Sequence, residues 1–174
     1  FTTKDQTIGA VYIYRDPRNI ITSFKNHYSM NYQNAFDFMK DDKSFIIQDS
    51  YDNDKSNFTY LGSWESHYKS WFSIKDFRIM LIKYEDLQDR KFEIFLDLVK
   101  FVNSLADKDE KVNEKKLEKS IKSTNFSVLK NSERNHGFVE SVKSKISGQK
   151  VNFFNLGFNN RWKKNLPQDF QISM

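Results

Sequence analysis

The sequence contains no cysteine. That excludes a disulfide framework, a thiolate metal site and a cysteine nucleophile, and it suits a reducing compartment. Proline is almost missing, with 2 residues, and glycine is scarce, with 5 in 174. No stretch resembles a glycine-rich phosphate loop, so a Walker-type nucleotide grip has no visible carrier. No apolar run approaches membrane-spanning length, and the opening residues show no basic segment followed by an apolar one. Together these absences predict a soluble chain. None of the 3 histidines has a second ligand at metal spacing, so no metal site is expected.

What is present is enough for one domain of ordinary size. Aromatic residues make up 16% of the chain, including 17 Phe, and can fill a core. The net charge of +5 and pI near 9.2 permit an anionic ligand. Lysines and carboxylates are interspersed, however, so nucleic acid is not indicated.

The most informative stretch runs from Val11 to Ser23. Val11-Tyr12-Ile13-Tyr14 is β-branched and aromatic and predicts a buried strand. Asp16 suits an N-cap and Pro17 the first helical position. Ile20, Ile21, Phe24 and Tyr28 then recur at helical spacing. Arg15 therefore sits at the carboxyl end of a strand and Ser23 about two turns into a helix. Ligands of open α/β sheets bind beyond strand carboxyl ends, beside helix N-termini. An arginine and a hydroxyl placed there can grip one phosphate.

Further along, Asn34 to Lys40 predicts a short helix, and Asp41 to Asn57 a long polar loop with a small apolar cluster at Phe45-Ile46-Ile47. Gly62-Ser63-Trp64 opens an amphipathic helix carrying Trp71 and Phe72. Phe77 to Ile82 predicts a second buried strand, followed by Lys83-Tyr84-Glu85-Asp86-Leu87 as a turn into a helix. Gln88 to Ser104 has the strongest helical pattern; Val112 to Ile121 predicts another, largely solvated. Ser123-Thr124-Asn125-Phe126 opens a further short helix, and Asn131 to Asn152 reads as irregular and locally basic. Strands alternating with helices predict an α/β fold.

Tyr14-Arg15-Asp16-Pro17-Arg18-Asn19-Ile20-Ile21-Thr22-Ser23 resembles the 3′-phosphate signature of sulfotransferases, which use 3′-phosphoadenosine 5′-phosphosulfate (PAPS). Tyr84-Glu85-Asp86-Leu87 is similar to that family's Y-E-D-L element, Gly62-Ser63-Trp64 with His67 and Trp71 to its G-S-W helix, and Thr124-Asn125-Phe126 to its T-S-F element. Phe153 to Lys163 resembles its R-K-G…G-x-W-K element, with Gly157, Trp162 and Lys163 matching.

The resemblance implies a P-loop-NTPase-like parallel sheet flanked by helices. It also implies that Arg15 and Ser23 hold the 3′-phosphate, that Tyr84, Thr124 and Phe126 border the adenine, and that Gly157 lies against the phosphate. His27, one turn beyond Ser23, could face an acceptor, although its ordinary reading is a partly buried histidine. Asn155 and Leu156 depart from the pattern, standing where an arginine and a lysine are expected. Either cofactor affinity is lower or Arg161 or a lysine from 143–150 compensates, and backbone N–H groups around Gly157 could still bind the phosphate. The family's phosphosulfate loop and catalytic histidine have no counterpart before Val11.

Residues 1–174 are accordingly expected to form the carboxyl-terminal portion of a sulfotransferase domain, with no catalytic residue of its own. An incomplete parallel sheet of this kind would expose apolar surface. The expected activity is sulfuryl transfer from PAPS to a hydroxyl or amine on a small-molecule acceptor, without a metal. A cytoplasmic location and a homodimeric assembly are compatible with the resemblance. The alternatives are a non-catalytic nucleotide-binding relative and a nucleotide kinase-like phosphotransferase.

Overall fold

The fold is described from a computed structural model, which covers residues 3–47, 58–144 and 147–172. Lys145 and residues 48–57, part of the expected long loop, lie outside the described residues. Strand β1 (Gly9–Tyr14) leads through Arg15 into helix α1 (Pro17–His27). Asp16 caps α1 as the sequence predicts: its carboxylate accepts from the Arg18 amide at 2.9 Å and from the Arg18 guanidinium at 2.6 Å. Helix α2 (Tyr32–Lys40) packs back on α1, with Asn31 as its cap. Strands β2 (Phe45–Ile47), inside the stretch expected to be a loop, and β3 (Phe58–Tyr60), just beyond it, form an antiparallel pair. Three residues are too few to display a period, which is why the sequence hid these strands.

Helix α3 (Trp64–Phe72) precedes strand β4 (Arg78–Lys83). β4 pairs parallel with β1, from Gly9 opposite Arg78 to Tyr14 opposite Lys83. The following helical region is two elements, α4 (Asp86–Asp89) and α5 (Lys91–Leu105), broken at Arg90, whose backbone leaves the helical region at φ −129°. Helix α6 (Glu114–Ser123) lies two residues later than its apolar pattern suggests.

Helix α7 (Phe126–His136) continues well into the stretch expected to be irregular. The remainder of that stretch forms a small antiparallel pair, β5 (Val142–Lys143) with β6 (Lys150–Val151). A one-turn 3-10 helix at Gly157–Asn159 and helices α8 (Trp162–Asn165) and α9 (Gln168–Ile172) end the description. The α/β class and the parallel pairing agree with the sequence.

The core lies between α1, α2 and the end of α8, where Ile21, Ala35, Phe36, Met39 and Leu166 are buried together. A second aromatic layer covers β1: Tyr12 stacks on Trp71 at 5.2 Å, and Tyr14 meets Phe72 edge-on at 5.2 Å. The tryptophan stripe of α3 is thus packing, as an aromatic helix stripe ordinarily is.

β1 is not the buried strand its composition suggests. Val11 is 38% exposed and Ile13 54%, because β4 is its one strand neighbour among the described residues and α3 covers only the tyrosine side. Parallel strands are normally covered on both faces, which the described part of this sheet is not. Among the described residues, no helix is long and apolar enough to cross a membrane.

Candidate nucleotide site at the ends of two parallel strands

The site begins with strand register. Tyr14 and Lys83 are opposite one another, and the Tyr84 amide donates to the Tyr14 carbonyl at 2.8 Å, one step past the end of β4. The residues next along each strand, Arg15 and Tyr84, are therefore abreast. The Arg15 guanidinium carbon lies 4.4 Å from the Tyr84 ring centroid. Such stacking is worth about 0.5–2 kcal/mol and holds the guanidinium plane in place. Nη2 donates to the carbonyls of Gly157 at 3.3 Å and Asn160 at 3.1 Å. Nε is 3.7 Å from the Glu85 carboxylate, and it is buried without a hydrogen-bond partner among the described residues. Nη1 makes no hydrogen bond among the described residues, which leaves the arginine with donors to offer.

Ser23 follows on α1. Its Oγ accepts from the Asn160 side-chain amide at 3.0 Å. The same Asn160 nitrogen donates to the Asn19 carbonyl at 2.7 Å, and Asn19 Oδ1 accepts from the Trp162 amide at 2.7 Å. Asn19 also donates to Glu85 at 3.1 Å. Two buried asparagines, Asn19 and Asn160, thereby stitch the segment from Gly157 to Trp162 onto α1. Arg18 adds a further tie, with its guanidinium 3.9 Å from the Trp162 ring centroid.

Arg15, Ser23, His27, Tyr84, Phe126 and Gly157 line one cavity of about 630 Å³. Its other walls include Phe24, Ile46, Glu140, Phe153, Phe154 and Asn160. Thr124 does not line it, and its hydroxyl donates to the Ser120 carbonyl at 2.8 Å. Asn155 and Leu156 do line it, so the two neutral residues stand at the wall of the cavity. Arg161 lines a separate cavity of about 270 Å³ with Lys83 and Lys163. Among the described residues, Lys130 reaches the neutral pair, its ammonium donating to the Asn155 carbonyl at 2.7 Å.

Gly157 has φ +56°, and a Cβ there would come within 2.7 Å of the Phe126 ring. The position therefore needs glycine twice over, for its backbone and for its closeness to Phe126. The amides of Gly157 and Phe158 donate to no group among the described residues. Successive free N–H groups at such a turn form a concavity suited to an anion.

Glu133 anchors the far wall. It is 1% exposed and accepts from the Ser141 hydroxyl at 2.5 Å and from the amides of Phe153 and Phe154 at 2.7 and 2.9 Å. Burial pushes its carboxyl up, but these donors and the charge of Lys150 more than offset this and hold it below the usual range. Burial pushes the His27 imidazole down, against the charge of Glu140, which acts the other way. Among the described residues, no cluster of three or more histidine and carboxylate groups could hold a metal ion.

A strand-end arginine, a helix hydroxyl, two aromatic rings and an obligatory glycine thus meet at one cavity. The family model for the sulfotransferase domain matches residues 2–172. The chain belongs to the sulfotransferase family. Similar to it is sulfotransferase 1E1 of Cavia porcellus, 33% identical over 104 residues, which are 59% of this chain and 32% of that protein. A solved structure, mouse sulfotransferase SULT7A1 complexed with PAP, is 17% identical with a TM-score of 0.45, covering 92% of this chain and 51% of the other. The chain thus spans between about a third and a half of the length of these sulfotransferases.

Sequence reasoning missed Asn19, Asn160, Glu133 and Lys130 as parts of the site. Lys130 carried no motif signal, and Asn160 lay inside the quoted 153–163 element without being one of its matching residues. Asn19 lay inside the quoted signature but read as an ordinary helix residue.

Proposed function

We propose that this chain holds the adenosine 3′,5′-bisphosphate part of PAPS in a sulfotransferase that acts on a hydroxyl or amine of a small molecule. The observation that carries this reading is the joining of Arg15 and Ser23 through Asn160 at the wall of a cavity that Tyr84, Phe126 and Gly157 share. A phosphate is suited to the cavity because donors of lining residues remain open: Nη1 of Arg15, the Ser23 hydroxyl hydrogen and the amide of Gly157. Bound there, PAPS would supply an activated sulfuryl group.

The chain's own residues bind and orient. Arg15 and Ser23 take the 3′-phosphate, Tyr84 and Phe126 offer ring faces to the adenine, and Gly157 lets the backbone approach. Thr124 does not line the cavity, so it joins them only if the start of α7 shifts toward it. His27, whose imidazole burial pushes down, is suited to the acceptor side as a hydrogen-bonding group. No residue of the chain is assigned to the transfer itself. Residues 1–174 act in this reading as one sulfotransferase domain portion.

Asn155 and Leu156 at the cavity wall favour a second reading, a nucleotide-binding relative without turnover. Calorimetry of the full chain with adenosine 3′,5′-bisphosphate and with ATP tests the site. Bisphosphate binding that Arg15→Ala abolishes supports it, and preference for ATP refutes it in favour of kinase-like chemistry. Turnover of labelled PAPS then separates enzyme from binding relative.

A further inference from the structure

Asn160 is 3% exposed and touches both residues that would grip the phosphate. Chemistry fixes the orientation of its amide. One side-chain atom lies 2.7 Å from the Asn19 carbonyl oxygen, which can only accept, so that atom is the nitrogen. The second hydrogen on that nitrogen goes to Ser23 Oγ. A hydroxyl oxygen that accepts still has its own hydrogen to place. Ser23 is exposed and makes no other hydrogen bond among the described residues, so its O–H is left to donate into the cavity it lines. From its backbone, Asn160 accepts from Arg15 Nη2 and leaves Nη1 free.

We propose that Asn160 is a positioning residue that sets the polarity of the anion site, fixing Ser23 as a donor and Arg15 in one orientation for a phosphate monoester. This rests on the nucleotide site proposed above. An ionised phosphate monoester offers acceptors almost exclusively, so a hydroxyl engaged as a donor elsewhere would meet it lone pair to lone pair. Asn160 removes that alternative before the ligand arrives.

The test is calorimetric titration of the full chain with adenosine 3′,5′-bisphosphate and, separately, adenosine 5′-monophosphate, which lacks the group Asn160 serves. Asn160→Ala, Ser23→Ala and the double variant are compared. Asn160→Ala is expected to weaken the bisphosphate about tenfold, the scale of one hydrogen bond to a charged group, and the monophosphate less than about twofold. The double variant should bind no worse than the weaker single variant, because both act through one hydrogen bond. Equal losses for both nucleotides, or losses that add, would show a role in packing alone and overturn the proposal. Should Asn160→Ala fail to fold, Asn160→Ser keeps a donor near the Asn19 carbonyl but cannot reach Ser23, and carries the same expectation. If the unaltered chain takes up no bisphosphate, the nucleotide site and this inference fall together. If it binds and the Asn160 variants bind equally well, this inference alone falls.

Discussion

Replacing Gly157 by alanine perturbs the site in two separable ways. The first is conformational. At φ +56° an L-residue carries a left-handed penalty of about 1–2 kcal/mol. The second is steric. The new Cβ would lie 2.7 Å from Cε2 and Cζ of Phe126 and 3.0 Å from Cδ2, so the ring or the turn must move. Overpacking of this sort costs about 1–3 kcal/mol. The sum is about 2–5 kcal/mol, a shift of roughly 4–20 °C in Tm for a chain of this size. Phe126→Ala removes every atom within 3.0 Å of that Cβ and leaves φ unchanged. Urea unfolding of the wild type, the two single variants and the double variant therefore resolves the two costs. Gly157→Ala should cost about 3 kcal/mol beside Phe126 and only about 1–2 kcal/mol when Phe126 is already alanine. Equal costs in both backgrounds would refute the close approach, and no cost in either would refute the left-handed turn.

Arg15→Lys keeps the charge but loses the planar fork that stacks on Tyr84 and binds two carbonyls, so bisphosphate affinity should fall about 10–100-fold, as calorimetry would show. Glu133→Gln should lower stability at pH 7 by about 2–3 kcal/mol, since the carboxylate's donors lose their charged acceptor. Because the folded carboxyl is held below its unfolded value, its contribution is present above the ordinary glutamate range and is lost as pH falls through the folded pKa. Urea midpoints of wild type and variant should accordingly converge in acid. The His27 imidazole is depressed in the fold, so its neutral form stabilises and that contribution is lost as pH falls through its folded pKa. An NMR titration should place its midpoint below about 6.5, and Glu140→Gln should lower it further; a midpoint above that value would contradict the burial of the ring.

The α/β class and the placing of Arg15 at a strand end with Ser23 on the following helix could be read from the chain because local chemistry writes them. Asp16, Pro17 and the spacing of Ile20, Ile21 and Phe24 announce a capped helix after a strand, and the cap hydrogen bond is there. Tyr84 was legible for the same reason, as the residue that ends an apolar run. Asn160 was not, because its meaning comes from residues far away in sequence, Asn19 and Ser23, that only the fold brings near. Glu133 lay at the start of the stretch, 131–152, that reads as polar and irregular. Nothing local says that its carboxylate will be enclosed by Ser141, Phe153 and Phe154. The pair β5 and β6 escaped notice because strands of two residues leave no alternation to detect.

The ladder between β1 and β4 is made of backbone groups alone, and it delivers Arg15 and Tyr84 side by side. Backbone bonds are indifferent to most changes of side chain. The stretch from residue 29 to residue 77 can therefore change without pulling the two residues apart, provided β4 keeps its register and α2 and α3 keep the residues that pack on α1 and β1. A lineage built on this scaffold could remodel the surfaces around its cavity again and again while the pairing of arginine and tyrosine is inherited unchanged. Novelty in one part of the molecule would then carry little risk for the other.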